Sequence, residues 1–160
     1  MSIIERLGLA ALAAGAVLAA GALGGPAQAD DAKNVIAYRQ NVMKGIAAHI
    51  TQIAMVAKGE VSFTDQVAGN ARAIAGAAGG IPAVFPEGSG EAPGAETAAQ
   101  PAIWQQWDKF TASAQALQTE ATKLAEIAEG GGDAAAIGAQ LGELGKTCGG
   151  CHEPFRKKTD

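Results

Sequence analysis

The chain has 160 residues, a length that suits one domain with a single core. Hydrophobic residues make up 48% and aromatic residues only 4%, and Ala carries much of the apolar share, which disfavours a sandwich or barrel and leaves a mainly helical protein. A formal charge of -4 with scattered Lys and Arg gives nucleic-acid binding no basic stripe to rest on, and the apolar content is too high for a disordered chain.

Residues 1–29 have the three-part layout of a secretory signal. A short polar start, Met1 to Arg6, precedes an apolar run from Leu7 to Leu23, then Gly24-Gly25-Pro26 and the small-x-small site Ala27-Gln28-Ala29. The run approaches the ~20 residues that span a bilayer, so a membrane anchor is the rival reading. The helix-breaking Gly-Gly-Pro followed directly by Ala-Gln-Ala favours cleavage after Ala29 and export to the periplasm, with no membrane association afterwards.

Apolar residues then recur at intervals of three and four from Val35 through Ile36, Val42, Met43, Ile46, Ile50 and Ile53 to Val56, which predicts a long amphipathic helix from Asp31 to about Lys58, ended by Gly59. Ser62 with Asp65 three residues on reads as a capping box for a second helix, from about Phe63 to Gly79. The stretch from Gly79 to Gln100, with Pro82, Pro86 and Pro93 and little periodicity, is a long surface connection. Pro101 suits the first turn of a third helix, whose apolar side takes in Ile103, Trp104, Trp107, Phe110, Leu117, Leu124 and Ile127 before Gly130-Gly131-Gly132 closes it. Asp133 caps a fourth helix that runs to about Lys157. Short links make the first pair and the last pair antiparallel, so the expected fold is an all-α, up-down four-helix bundle over residues 30–160, with one longer crossover between helices 2 and 3.

The strong chemical motif lies at the end of the fourth helix. Cys148-Gly149-Gly150-Cys151-His152 is a C-x-x-C-H run built from the chain's two cysteines. Two thiols three residues apart on one helical face are spaced to add across the vinyl groups of a haem, the next residue offers its imidazole to the iron, and the glycines let backbone lie close to the ring. A disulfide across so small a loop stabilises little. A thioredoxin-like redox pair wants a parallel sheet, and zinc wants further ligands, whereas the other histidine is the distant His49. Covalent haem is the reading that uses every residue of the run.

With those elements in place the mature chain resembles the class II c-type cytochromes, the cytochrome c prime family together with its low-spin, methionine-ligated branch. Tyr38-Arg39-Gln40-Asn41-Val42-Met43-Lys44, Val84-Phe85-Pro86-Glu87-Gly88-Ser89, Pro101-Ala102-Ile103-Trp104 and Cys148 through Arg156 carry the likeness in that order. It implies one haem c with its iron, thioether attachment at Cys148 and Cys151, and His152 as the proximal ligand. It puts Met43 on the distal side, Arg39 and Gln40 at the haem propionates, Thr97 at a crossover position of similar role, and Arg156 beside the proximal imidazole. The acid that often follows that threonine is replaced here by Ala98.

Each position has a plainer reading beside this one. Met43 on an apolar face is a common core filler, Arg39 a solvated cation, His49 a surface or interface residue, Trp104 and Trp107 core anchors, and Phe85-Pro86 a lid over the bundle end. Function turns on the sixth ligand. Met/His ligation gives an electron carrier that exchanges with redox partner proteins; an open distal face gives a high-spin protein that binds NO or CO; a cysteine oxidoreductase is the third class. No enzyme is expected, because the ionisable residues near the distal position, Arg39 and Lys44, are cations rather than general bases. The resemblance also permits a homodimer through the first two helices.

Overall fold

The computed structural model describes residues 31–158, so the signal segment 1–29 lies outside the described residues. Four long helices form the body: α1 (Ala32–Ala57), α2 (Val67–Gly80), α4 (Trp107–Glu129) and α5 (Ala134–Phe155), with a single-turn α3 (Ala102–Gln105) ahead of α4. They pack in a ring in which α1 adjoins α2, α2 adjoins α4, α4 adjoins α5, and α5 returns to α1. The expected four-helix bundle is the fold, and no described helix is long and apolar enough to cross a membrane.

Local chemistry sets several of the boundaries. Asp31 caps α1 by accepting a hydrogen bond from the Lys33 amide at 2.9 Å, and Asp133 caps α5 by accepting from Ala136 at 2.8 Å. Gly59, at φ 71, takes the chain out of α1 through a conformation that a side chain resists. The capping box expected at Ser62 does not form: a 3-10 turn at Thr64–Gln66 precedes α2, and the Asp65 carboxylate instead accepts from the Gln66 amide group at 2.9 Å. The third predicted helix is interrupted at Gln106, where φ is -128 and ψ is 47. Just before the break, the Trp104 indole is tied to the crossover carbonyls of Phe85 and Pro86, contacts that the local sequence does not announce.

Alanine decides how closely the helices approach. Ala71 and Ala78 of α2 and Ala114, Ala121 and Ala125 of α4 are all buried, and this is the most extensive helix pair. At Gly79 an added Cβ would sit 2.9 Å from the Gln118 side chain. Ile36, Ile53, Val67, Ile74, Ile103, Leu124, Ile137 and Leu144 fill the space between the four helices. Ile74 is fully inaccessible, so Ile74→Ala is expected to cost about 2–5 kcal/mol in chemical denaturation of the haem-loaded protein, since packing this dense leaves a cavity that cannot collapse. The α1–α5 seam makes the sparsest contact of the ring, and it is the seam that carries the chemistry.

Candidate functional site

On α5 the motif lies in the last two turns. Cys148 and Cys151 are partly buried free thiols packed against the core, with Gly149 and Gly150 exposed between them. A Cβ built on either glycine would meet nothing within 4 Å, so the backbone there is open to close approach by a flat group. Burial pushes both thiols above their ordinary pKa, and at Cys151 the neighbouring Cys148 adds to the effect. That direction is opposite to what activates a redox thiolate. The Cys148 thiol points to the Leu144 carbonyl at 3.7 Å. His152 remains exposed, yet the partial desolvation of its ring and then the charge of Arg156 hold its pKa below the usual value, which favours the neutral, ligating imidazole.

The C-terminal end of α5 is strapped to the crossover. Ala99 pairs with Arg156 as an isolated antiparallel bridge; the Gln100 amide donates to the Phe155 carbonyl at 3.0 Å and the Lys157 amide to the Ala98 carbonyl at 2.7 Å. The Gln100 side chain donates to the Arg156 carbonyl at 2.9 Å. Arg156 is thus fixed by its backbone one turn after His152, as the sequence suggested, while its side chain stays exposed.

Across the seam, α1 turns Ile36, Arg39, Met43, Ile46, Ile50 and Ile53 inward, a run of three- and four-residue steps. Met43 is half-buried against the core, as are Cys148 and Cys151. Arg39 is buried, not solvated: Nη1 donates to Ser89 Oγ and Nη2 to Thr97 Oγ1, both at 2.9 Å, and the guanidinium carbon lies 4.7 Å from the centre of the Phe85 ring. Burial lowers its pKa, although a guanidinium stays charged. Gln40 is exposed and donates to the Glu96 carbonyl at 2.7 Å. The neighbours Arg39 and Gln40 are therefore brought to the crossover, where their partners Ser89, Thr97 and Glu96 lie 50 or more residues away in sequence.

Phe85 closes the bundle end as the sequence suggested, stacking edge-on to Phe110 at 4.9 Å, which in turn meets Phe155 at 5.4 Å. Trp104 packs on the core and donates to the carbonyls of Phe85 and Pro86, both at 3.1 Å. Trp107 is not a core anchor: it is 37% exposed and tilts over Phe110 from outside. It heads α4 beyond the Gln106 break, which turns its ring outward. His49 sits half-buried between α1 and α2 and pairs with the Asn70 side chain at 2.9 Å. Ser89 is the residue that sequence reasoning passed over; it is 2% exposed, and its signal was the Pro86-Glu87-Gly88-Ser89 turn, in which Gly88 has φ 81.

The donor set fits covalent haem. Two reduced thiols one helical turn apart, an adjoining imidazole and open backbone over two glycines lie on α5, while α1 contributes a thioether packed on the same core and a buried cation whose partners are neutral. No cluster of three metal-ligating side chains occurs among the described residues. Two surface depressions, on α4 around Thr119 and near the α1–α2 turn around Phe63, lie away from the motif.

Comparison with known proteins agrees with this geometry. The family described as Cytochrome C' matches residues 34–156. Cytochrome c' of Rhodospirillum rubrum is 38% identical over 130 residues, covering 81% of this chain and 86% of that protein. The crystal structure of cytochrome c' from Thermochromatium tepidum superposes with a TM-score of 0.73 at 27% identity, covering 81% of this chain and 98% of that one. A nitric oxide complex of a cytochrome c prime variant from Alcaligenes xylosoxidans gives a TM-score of 0.70 at 27% identity over 80% of this chain and 98% of that one. The chain belongs to the cytochrome c' family.

Proposed function

We propose that this protein is a periplasmic electron carrier, with one haem c held through Cys148 and Cys151, His152 as proximal ligand and Met43 as distal ligand. The haem-protein class follows from family membership, and its cofactor is covalently bound haem c with iron. When bound, that group supplies a one-electron iron couple. The observation that supports a carrier is the inward placement of Met43, half-buried on α1 one turn beyond Arg39 and packed on the same core as the two cysteines. A thioether there would offer the iron a soft ligand and keep out water and exogenous ligands, and Met/His ligation would raise the potential.

The other residues serve binding and orientation. Cys148 and Cys151 would hold the ring to α5, the neutral His152 imidazole would offer its lone pair to the iron, and the backbone strap to residues 98–100 ties down the end of α5. Arg39, Gln40 and Thr97 offer donors for the haem carboxylates, and Arg156 adds positive charge beside the imidazole. The ionisable residues that neighbour Met43 on α1, Arg39 and Lys44, are cations rather than general bases, which supports transfer of electrons rather than catalysis.

The visible spectra of the oxidised and reduced protein test this. Low-spin bands in both states, with no change on adding CO, are expected; a high-spin spectrum that shifts with CO would replace the carrier with a gas-binding protein. Export is tested separately: mass spectrometry of periplasmic material is expected to show a chain that starts at Asp30 and carries one haem, and an intact Met1 form recovered from membranes would overturn both cleavage and localisation.

A further inference from the structure

Arg39 and Ser89 are the two buried polar side chains among the described residues, and they are bonded to each other. The Ser89 hydroxyl has one proton, and it goes to the Pro86 carbonyl at 2.7 Å, so only its lone pairs remain for Arg39. That carbonyl is itself held in place: it also accepts the Ser89 amide at 3.2 Å, closing the turn through Gly88, and the Trp104 indole at 3.1 Å. Ser89 is thereby a fixed acceptor rather than a rotating one. On the other side of the fork, Thr97 Oγ1 accepts from Arg39 and from the Ala99 amide at 3.1 Å, which leaves its own proton free to donate.

Both partners of the guanidinium are neutral. No ion pair to Arg39 forms among the described residues: Glu96, beside Thr97, gives its carbonyl to the Gln40 side chain and no carboxylate to the fork. A buried cation without an anion is costly, and an Asp at position 89 would quench it within the chain. A hydroxyl orients the fork and leaves its charge for a group that arrives from outside.

We propose that Ser89 is a positioning residue: by accepting from Arg39 while donating to the Pro86 carbonyl, it holds the guanidinium in one orientation for a haem carboxylate and so sets the charge felt by the iron. The proposal rests on the haem reading above and goes beyond it in giving Ser89 an electrostatic role. A planar fork meets a carboxylate strongly only when its orientation is fixed. With Ser89→Ala the fork loses one tether, the carboxylate is less well neutralised, and the oxidised form gains.

The test is the reduction potential of haem-loaded Ser89→Ala, Ser89→Thr and Arg39→Gln at low and moderate salt. Ser89→Ala is expected to shift the oxidised-to-reduced ratio at fixed poise about threefold toward oxidised and to make the potential more salt-dependent. Arg39→Gln is expected to shift it about tenfold, and Ser89→Thr, which keeps the hydroxyl, to restore the unsubstituted value. If Ser89→Ala lowers the melting temperature but leaves the potential in place while Arg39→Gln moves it, Ser89 is only a loop fastener and the proposal falls. If neither moves it, the pairing of Arg39 with a haem carboxylate has failed, and the proposal falls with it. The haem-stained gel, unchanged in all three variants, separates both outcomes from loss of the haem itself.

Discussion

Replacing Cys148 and Cys151 together with Ala is expected to give a chain with no haem stain on a denaturing gel, where the unsubstituted protein keeps its colour. A thioether survives denaturant and acidic acetone, while axial ligation by His152 does not, so covalent attachment is an all-or-none readout of the two thiols. Single substitutions are expected to retain partial colour, because either bond alone tethers the ring. The double variant also bears on the bundle. Its α1–α5 seam is the loosest of the four, and a covalently held ring that is buried and ligated only in the folded chain adds to its stability. The colourless variant is therefore expected to melt at a lower temperature than the loaded protein by circular dichroism. Colour that washes out of the unsubstituted protein with acidic acetone would overturn the covalent assignment.

The parts of this molecule that could be read from the chain alone are those with local causes. Asp31 and Asp133 cap their helices by bonds to amides two and three residues away, and the three- and four-residue spacing from Ile36 to Ile53 marks the inward face of α1 without reference to any other segment. The C-x-x-C-H run is equally local: five consecutive residues bring thiols and imidazole to one face of α5. What could not be read depends on contacts between distant segments. The break at Gln106 accompanies hydrogen bonds from Trp104 to carbonyls 18 and 19 residues back. Burial of Arg39 depends on a hydroxyl 50 residues away, and the strap joins residues 98–100 to 155–157. The likeness to a known family gave roles to Arg39 and Thr97 before any such contact was visible, but none to Ser89, whose role follows from hydrogen-bond direction alone. The failed capping box is a different case. Ser62 and Asp65 have the right spacing, yet the 3-10 turn starts α2 later and gives the Asp65 carboxylate a nearer donor in Gln66.

Met43→Ala is expected to convert a low-spin spectrum to a high-spin one, open the distal face to CO, and lower the reduction potential. Each effect has the same origin. A thioether is a soft ligand that favours the ferrous state and keeps the iron six-coordinate in both oxidation states, so its removal costs reduced-state stabilisation and vacates a coordination position at once. The substitution also deletes packing, since Met43 is half-buried against Val42, Ile46 and the rest of the core, and a looser helix could admit CO without any ligand having been lost. Met43→Leu separates the two causes. Leu nearly conserves the volume and the apolar contact, and such swaps usually cost less than about 1.5 kcal/mol, but it has no sulfur. If Met43 ligates, the Leu variant keeps its melting temperature and still turns high-spin. If Met43 only fills space, the Leu variant has the spectrum of the unsubstituted protein and the Ala variant alone admits CO. An unsubstituted protein that is already high-spin and takes up CO at neutral pH would instead mean that α1 presents a wall rather than a ligand to the distal side, and that the protein binds diatomic gases where we have assigned electron transfer.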